Sequence, residues 1–191
     1  MIFEYVINGI EVRTGDLICT KDGDTANITG QFWRLIGKII PGDVDHIVIY
    51  VGPEGRCVEA GAKGRVNTFM VRDYKWNAHN MFIERGPLID VFYGVVYPLE
   101  GRGFTSQEID QKRLQIGEYS LEQARSEKPY NLNFLNSLTE DAFYCSQLAY
   151  RAYYKVGINL NTGKGVPQIP GTESIIFPQE IWEGGPHKRP L

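Results

Sequence analysis

Alternation of hydrophobic and polar positions dominates the first half of the chain, and a period of two predicts strands. YVINGIEV has two short apolar runs around Asn8-Gly9, a strong signal for a two-residue hairpin turn. GDLICT follows as another strand, and DHIVIYVGPEGRCVEAG predicts a second hairpin around a Gly-Pro-Glu-Gly turn. Between residues 66 and 100, the runs RVNTFMV, MFIER and DVFYGVVYPL are also typical of strands.

A helical period appears in three places. The first predicted helix covers residues 25–39. The second begins at Thr105, which stands in capping-box spacing with Glu108. The third covers residues 140–156 and ends at Gly157. The following stretch is rich in Gly, Pro and Asn and is interpreted as loop.

Strands in the first half and helices in the second predict an α+β fold. Residues 1–191 suit a single domain, in which residues 1–14 form an additional N-terminal hairpin. A hydrophobic content of 42% with 23% charged residues is typical of a globular protein. The net charge of -3 provides no basic surface for nucleic acid.

No apolar run is long enough to span a membrane, and the N-terminus lacks the charged and apolar regions of a signal peptide. The three cysteines are odd in number and widely spaced, which disfavours a disulfide framework and fits a reducing compartment. We therefore expect a cytoplasmic protein.

Cys145 lies on the apolar stripe of the third helix, together with Leu148, Ala149, Ala152, Tyr153 and Val156. Cysteine is often buried, so an inert core residue is one interpretation. The other is a nucleophile near the start of a helix capped by Thr139, Asp141 or Ser137. The partial positive charge of a helix N-terminus lowers the pKa of a thiol, and its free N–H groups can hold an oxyanion.

A nucleophilic cysteine needs a base, and the chain has three histidines. His79 is interpreted as part of a polar turn and His187 as part of a flexible terminus, whereas His46 opens a strand. Pairing 46–51 with 56–61 makes His46 and Glu59 diagonal neighbours on one face. A carboxylate there would fix the tautomer of the imidazole. A turn longer or shorter by one residue would instead leave Glu59 on the other face.

The order of these segments resembles the YiiX-like, circularly permuted branch of the NlpC-type papain-like hydrolases. The matching segments are GDLICT, DHIVIYVG, VEAG, FYCSQLAYRAY and IFPQEI, and they span residues 15 to 181. The lecithin-retinol acyltransferase group shares the permuted arrangement. In unpermuted papain-like enzymes the cysteine helix precedes the histidine strand, whereas here His46 precedes Cys145. The N-terminal hairpin matches no part of the family core.

The resemblance implies a circularly permuted papain-like (NlpC-type) fold, with an antiparallel sheet or small barrel packed against helices. It implies that Cys145 is the nucleophile, His46 the base and Glu59 the residue that orients the base. The family often has a tyrosine at the position of Tyr130, which is therefore a candidate oxyanion donor; the alternative is an aromatic side chain that packs in a loop. Gln147 replaces the glutamate of the common Cys-Ser-Glu-Leu sequence. We expect this change to affect a neighbouring contact or substrate preference.

The implied activity is that of a cysteine peptidase or amidase, which acts through a thioester on a small peptide or acyl substrate such as cell-wall-derived peptides. A lipid or small-molecule acyltransferase with the same Cys–His pair and a non-catalytic ligand-binding module are the alternatives. No cofactor is expected. The absence of CxxC and HExxH spacing disfavours a zinc site made from Cys19, Cys57, Cys145 and His46. A homo-oligomer is left open.

Overall fold

The structure is a computed structural model that describes residues 1–22, 42–61, 63–86 and 90–190. These residues form a mixed α+β fold with antiparallel sheets, as the sequence predicts. The helix predicted over residues 25–39 lies outside the described residues. Within the described ranges, no helix is both long enough and apolar enough to cross a membrane.

The N-terminal hairpin is confirmed. Strands β1 (Glu4–Ile7) and β2 (Ile10–Arg13) are antiparallel, and Ile7 pairs with Ile10. Asn8 and Gly9 between them have φ of 48° and 82°. Two successive positive φ angles are typical of the type I′ turn, whose twist matches that of the flanking strands.

A second sheet has six strands, all antiparallel, in the order β6-β5-β4-β3-β7-β8. It remains open in the part of the chain that the structure describes, with β6 and β8 at its edges, so the prediction of a sheet is correct and that of a closed small barrel is not. The strands are β3 (Leu17–Asp22), β4 (His46–Gly52), β5 (Arg56–Ala60), β6 (Val66–Met70), β7 (Asp90–Val96) and β8 (His187–Lys188).

Four α-helices occur among the described residues: α1 (Ala78–Arg85), α2 (Ser106–Arg125), α3 (Cys145–Tyr154) and α4 (Pro178–Gly184). Helix α2 begins with the predicted capping box. Helix α4 follows a long loop and was not predicted, although its first residues belong to the IFPQEI segment.

Helix α1 contradicts the strand predicted for MFIER. The Asn77 side chain accepts a hydrogen bond from the Asn80 N–H and caps the helix, and Gly86 ends it with a φ of 86°. Met81 and Arg85, four positions apart, are its buried residues. A run of three apolar residues followed by two charged ones fits a strand and a helix face equally well, so the cap decides the conformation here.

The second sheet is buried on both faces. One face carries Ile47, Ile49 and Val58, which belong to a core cluster with residues of α2 and α3. The other face carries Val48 and Tyr50, which pack in a second cluster with the N-terminal hairpin and α1. Both faces therefore lose contact with water, which explains why HIVIYV is almost continuously apolar.

Candidate active site

Cys145 is the first residue of α3, closer to the helix start than predicted. Residues 140–144 are not helical, and Tyr144 occupies the N-cap position that was predicted for Thr139, Asp141 or Ser137. Cys145 is only 6% exposed. A sulfur at this position is stabilised as a thiolate by the partial positive charge of the helix.

Gln147 explains how α3 begins without a conventional cap. Its side-chain oxygen accepts hydrogen bonds from the Tyr144 N–H at 3.2 Å and from Asn131 Nδ2 at 2.9 Å. Its Nε2 donates to the Thr139 carbonyl at 3.0 Å. A carboxylate could accept but could not donate, so glutamine suits this fully buried position. Gln147 therefore has a local structural role at the start of α3.

A second contact joins the start of α3 to a distant loop. Ser146 Oγ donates to the Ile176 carbonyl at 2.6 Å, and the Ile176 N–H donates to the Tyr144 hydroxyl at 3.0 Å. All three residues are buried. This pair of bonds fixes the segment before α4 against the helix that carries Cys145.

His46 is the first residue of β4, and its ring is held against Glu59. His46 Nε2 lies 2.8 Å from Glu59 Oε2. Ile49 pairs with Val58 and Tyr50 with Cys57, which is the register that the sequence predicts for this part of the hairpin. Arg56 pairs with Gly52 rather than with Val51, because the register shifts beside the turn.

Gly61 leaves room for the histidine ring. A Cβ atom at Gly61 would lie 3.0 Å from His46 Cε1. That separation is shorter than ordinary carbon–carbon contact. A side chain at this position would therefore displace the imidazole.

Cys145 and His46 are far apart in the chain but lie close together in the structure. The sulfur lies within hydrogen-bonding reach of the His46 ring and of the Ile47 and Ser146 N–H groups. Burial by itself raises the pKa of Cys145, but the His46 charge and these donors outweigh it and lower the pKa. Burial disfavours the imidazolium, yet the charges of Cys145 and Glu59 raise the pKa of His46 to about 10. The geometry therefore favours a thiolate–imidazolium pair.

Glu59 is completely buried and ionised. Its two oxygens bind Arg85, with Arg85 Nε donating to Oε1 at 2.9 Å and Nη2 to Oε2 at 2.5 Å. Burial raises the pKa of a carboxylate, but the charges of Arg85 and His46 overcome this and lower the pKa of Glu59 to about 2. The alternative register, which would leave Glu59 on the face away from His46, is therefore wrong.

Arg85 was not identified from the sequence. It lies at the end of α1, is 1% exposed, and donates from Nη1 to Asp90 Oδ1 at 2.5 Å. Asp90 in turn accepts from Thr20 Oγ1 at 2.6 Å. The guanidinium carbon lies 5.0 Å from the centre of the Phe69 ring. Arg85 follows Met81 by four positions, so the two residues share one face of a helix. That spacing indicates burial of Arg85 only if MFIER is assigned to a helix.

Tyr130 packs against the core cluster of α2 and α3 and interacts electrostatically with Cys145. Burial, with a smaller contribution from the Cys145 charge, raises the pKa of Tyr130 well above that of an exposed phenol. Tyr130 is thus close enough to the sulfur to be the candidate oxyanion donor. It also packs against its neighbours, as the alternative of a packing aromatic side chain expects.

The remaining histidines and cysteines lie outside the Cys145–His46 pair. His79 is an exposed residue of α1 rather than part of a turn, and His187 belongs to β8 rather than to a free terminus. Cys19 and Cys57 are buried, and burial raises the pKa of both thiols. Among the described residues, no group of three or more His, Cys, Asp or Glu side chains is placed to hold a metal ion.

Comparison with models of protein families, with curated proteins and with solved structures finds no match for this chain.

Proposed function

We propose that this chain is a cysteine amidohydrolase or peptidase that cleaves amide bonds through a thioester on Cys145. One observation carries the proposal: a sulfur at a helix start lies within hydrogen-bonding reach of an imidazole held by a buried carboxylate. A nucleophile, a base and a group that orients the base are the minimal components of this chemistry. The resemblance to YiiX-like permuted papain-like hydrolases supports the same assignment.

In the first half of the reaction, the Cys145 thiolate attacks the amide carbonyl carbon and forms a carbon–sulfur bond. The π electrons move onto the carbonyl oxygen. When the tetrahedral intermediate collapses, the carbon–nitrogen bond breaks and His46 gives its proton to the leaving amine. Glu59 keeps Nε2 of His46 engaged throughout, which leaves the other ring nitrogen for the proton transfer.

In the second half, water attacks the thioester while His46 accepts a proton from it. The carbon–sulfur bond then breaks, the carboxylic acid leaves, and the thiolate–imidazolium pair is restored. We assign the oxyanion contacts to the backbone N–H of Cys145 and to the Tyr130 hydroxyl. The raised pKa of Tyr130 keeps its proton in place at neutral pH, which a donor requires.

We assign the substrate rim to the loop between α3 and α4, with cell-wall-derived peptides as the substrate class. A cavity of about 350 Å³ lies in this loop, and its lining combines apolar side chains with amide, hydroxyl and carboxylate groups. Phe177 lines it, and the neighbouring Ile176 is hydrogen-bonded to the start of α3. Such a mixture suits a peptide, which has both amide groups and apolar side chains.

Acyl transfer from a lipid is the second candidate function. Leu132, Leu135 and Leu138 are 64%, 57% and 67% exposed, and they lie in the segment that leads into α3. Exposed leucines in the segment that precedes the reactive cysteine favour an apolar acyl chain. The Cys145–His46 pair would serve this reaction equally, with an amine or alcohol in place of water.

Alkylation by iodoacetamide tests the reactive pair without any assumption about substrate. We expect Cys145 to be alkylated well below pH 8, and His46→Ala to remove this reactivity. The buried Cys19 and Cys57 serve as internal references when the sites are quantified by mass spectrometry. If Cys145 reacted no faster than these two, the non-catalytic binding module would be favoured.

Turnover of a labelled amide or ester in the presence of a competing amine separates the two catalytic candidates. Hydrolysis without amide exchange supports the hydrolase, and capture of the acyl group by the amine supports the transferase. Cys145→Ser should abolish either reaction, because an unactivated hydroxyl is a much weaker nucleophile than a thiolate. Turnover that survives this substitution would exclude Cys145 as the nucleophile.

A further inference from the structure

We propose that Arg85 is a positioning residue for the Cys145–His46 pair, which it serves by holding the Glu59 carboxylate ionised and in a fixed plane. The inference rests on the proposed function, since it concerns the same pair. Arg85 is not placed to touch a substrate, because it is 1% exposed and lies behind Glu59. Its effect therefore passes through the carboxylate.

The geometry of the three side chains supports this role. Glu59 Oε2 is shared, because it accepts from Arg85 Nη2 and also contacts His46 Nε2. Arg85 Nε binds the other oxygen, so the planar guanidinium fixes the plane of the carboxylate. The direction from which Glu59 meets the imidazole follows from that plane. A carboxylate held by His46 alone would be free to rotate.

Arg85 is itself held on the side away from Glu59. Asp90 accepts a hydrogen bond from the third guanidinium nitrogen, Nη1. The centres of the Phe69 and Trp76 rings lie 5.0 and 5.2 Å from the guanidinium carbon. Trp76 Nε1 also donates to Asp90 Oδ1 at 3.2 Å. An arginine with all three nitrogens engaged is a rigid support for its partner.

Removing Arg85 has a predictable electrostatic consequence. Burial opposes the charge of Glu59, and Arg85 contributes the largest opposing interaction that keeps its pKa low. Without Arg85 the buried carboxyl should take up a proton at a much higher pH, and a neutral Glu59 stabilises imidazolium less. Other charged and titratable groups interact with Cys145, Glu59 or Arg85, and they come from several elements: Cys19, Cys57, Asp90, Tyr130 and Tyr144.

The test measures the alkylation rate of Cys145 against pH in the full chain, with iodoacetamide as the probe. We expect Arg85→Met to move the midpoint of this profile upward by about one pH unit or more, as for loss of a neighbouring opposite charge. Arg85→Lys should restore part of the shift, because it returns the charge without the two-point contact. An unchanged or lowered midpoint in Arg85→Met would overturn the proposal.

Arg113→Met is the matched control for the loss of a buried arginine. Arg113 is buried and donates to Asp16 Oδ1 at 2.6 Å, but it does not contact Glu59 or His46. This variant should lose stability while the midpoint stays in place. If the midpoint moved equally in Arg113→Met, the shift in Arg85→Met would be explained by loss of stability alone, and the proposal would be overturned.

A double-mutant cycle decides the case even if Arg85→Met folds poorly. Replacing Arg85 by Met in a Glu59→Gln background removes both charges of the pair together. If Arg85 acts only through Glu59, the double variant should have the same midpoint as Glu59→Gln alone. A further shift in the double variant would show direct action on the sulfur and contradict the proposal.

These outcomes are distinct from failure of the proposed function. Alkylation reports the thiolate and requires no substrate. If the wild-type midpoint is low and Arg85→Met raises it, the inference is supported even when no amide is hydrolysed. If amides are hydrolysed and the midpoint is insensitive to Arg85, the inference fails while the function stands.

Discussion

Two buried arginines among the described residues, Arg85 and Arg113, bind buried carboxylates, and they counter the effect of burial on the carboxylate pKa to different extents. Glu59 binds Arg85 beside the candidate active site. Asp16 binds Arg113 where the turn after β2 meets α2. Their pKa values move in opposite directions: that of Glu59 falls to about 2, and that of Asp16 rises to about 6. Burial raises both, so the difference comes from the partners.

The partners differ in how fully the guanidinium is used. Arg85 binds Glu59 through two nitrogens and Asp90 through the third. Arg113 reaches Asp16 through Nη1 alone and shares that nitrogen with the Thr14 carbonyl. Its Nε has no hydrogen-bond partner among the described residues. Glu59 also has the His46 charge beside it. The single contact from Arg113 does not compensate for the desolvation of Asp16. The two-point contact from Arg85, together with the charge of His46, does compensate for that of Glu59.

A buried ion pair is therefore not by itself a sign of function. The Asp16 pair joins the turn to α2, near the end of α3 where the Tyr153 hydroxyl donates to the Gly15 carbonyl. The Glu59 pair lies beside the other end of the same helix, where Cys145 begins it. The following predictions separate the structural pair from the one proposed to serve the reaction.

The largest expected effect belongs to Glu59→Ala. It leaves Arg85 with one counter-charge in a dry environment, which should lower the free energy of unfolding by about 3–5 kcal/mol. It should also remove the reactivity of Cys145 below pH 8, because His46 loses its orienting carboxylate. Urea unfolding and iodoacetamide labelling measure the two effects separately.

Asp16→Ala is the matched variant for this prediction. It should lower stability for the same reason and leave the pH profile of Cys145 labelling unchanged. If both alanine variants changed the profile alike, the distinction between the two pairs would be lost.

The pH dependence of stability should have opposite signs at the two sites. The folded pKa of Glu59 is depressed from 4.5, so its contribution is complete above about pH 4.5 and is lost as the pH falls towards 2. The folded pKa of Asp16 is raised from 3.8 to about 6. Its ionisation therefore destabilises the fold above pH 6, and protonation removes that cost, at most about 3 kcal/mol, as the pH falls to 3.8.

Denaturant titrations from pH 7 to pH 4 test this sign. The stability advantage of wild type over Asp16→Asn should grow as the pH falls through 6. Its advantage over Glu59→Gln should stay level down to about pH 4.5 and then shrink. Parallel curves for the two variants would contradict the assignment of opposite shifts.

The smallest effect is expected at the ion pair of Arg72 with Glu84, a residue of the same helix as Arg85. Arg72 donates to Glu84 at 2.6 Å but is 61% exposed in its side chain. Arg72→Met should change the free energy of unfolding by less than about 1 kcal/mol, because solvent screens the pair. Labelling of Cys145 should be unaffected. A loss comparable to that of Glu59→Ala would show that burial does not explain the difference.

Local patterns predicted the parts of the fold and of the site that depend on short-range geometry. Asn8-Gly9 gave the N-terminal hairpin, and alternation along β4 and β5 gave the diagonal contact between His46 and Glu59. These predictions succeed because a strand has a period of two and a short turn restricts the register. The helical stripe through Cys145 gave α3, although its first residue was placed too early.

The amino-acid sequence by itself thus determined the hairpins, the helical stripe and the residues that bring a thiol, an imidazole and a carboxylate together. Only the tertiary structure decided that Glu59 is buried, that MFIER is helical and that Arg85 reaches the carboxylate from 26 positions away. The physical reason is that the ionisation of a buried group depends on every charge around it in space. Those charges come from separate strands and helices, and no local period records their packing.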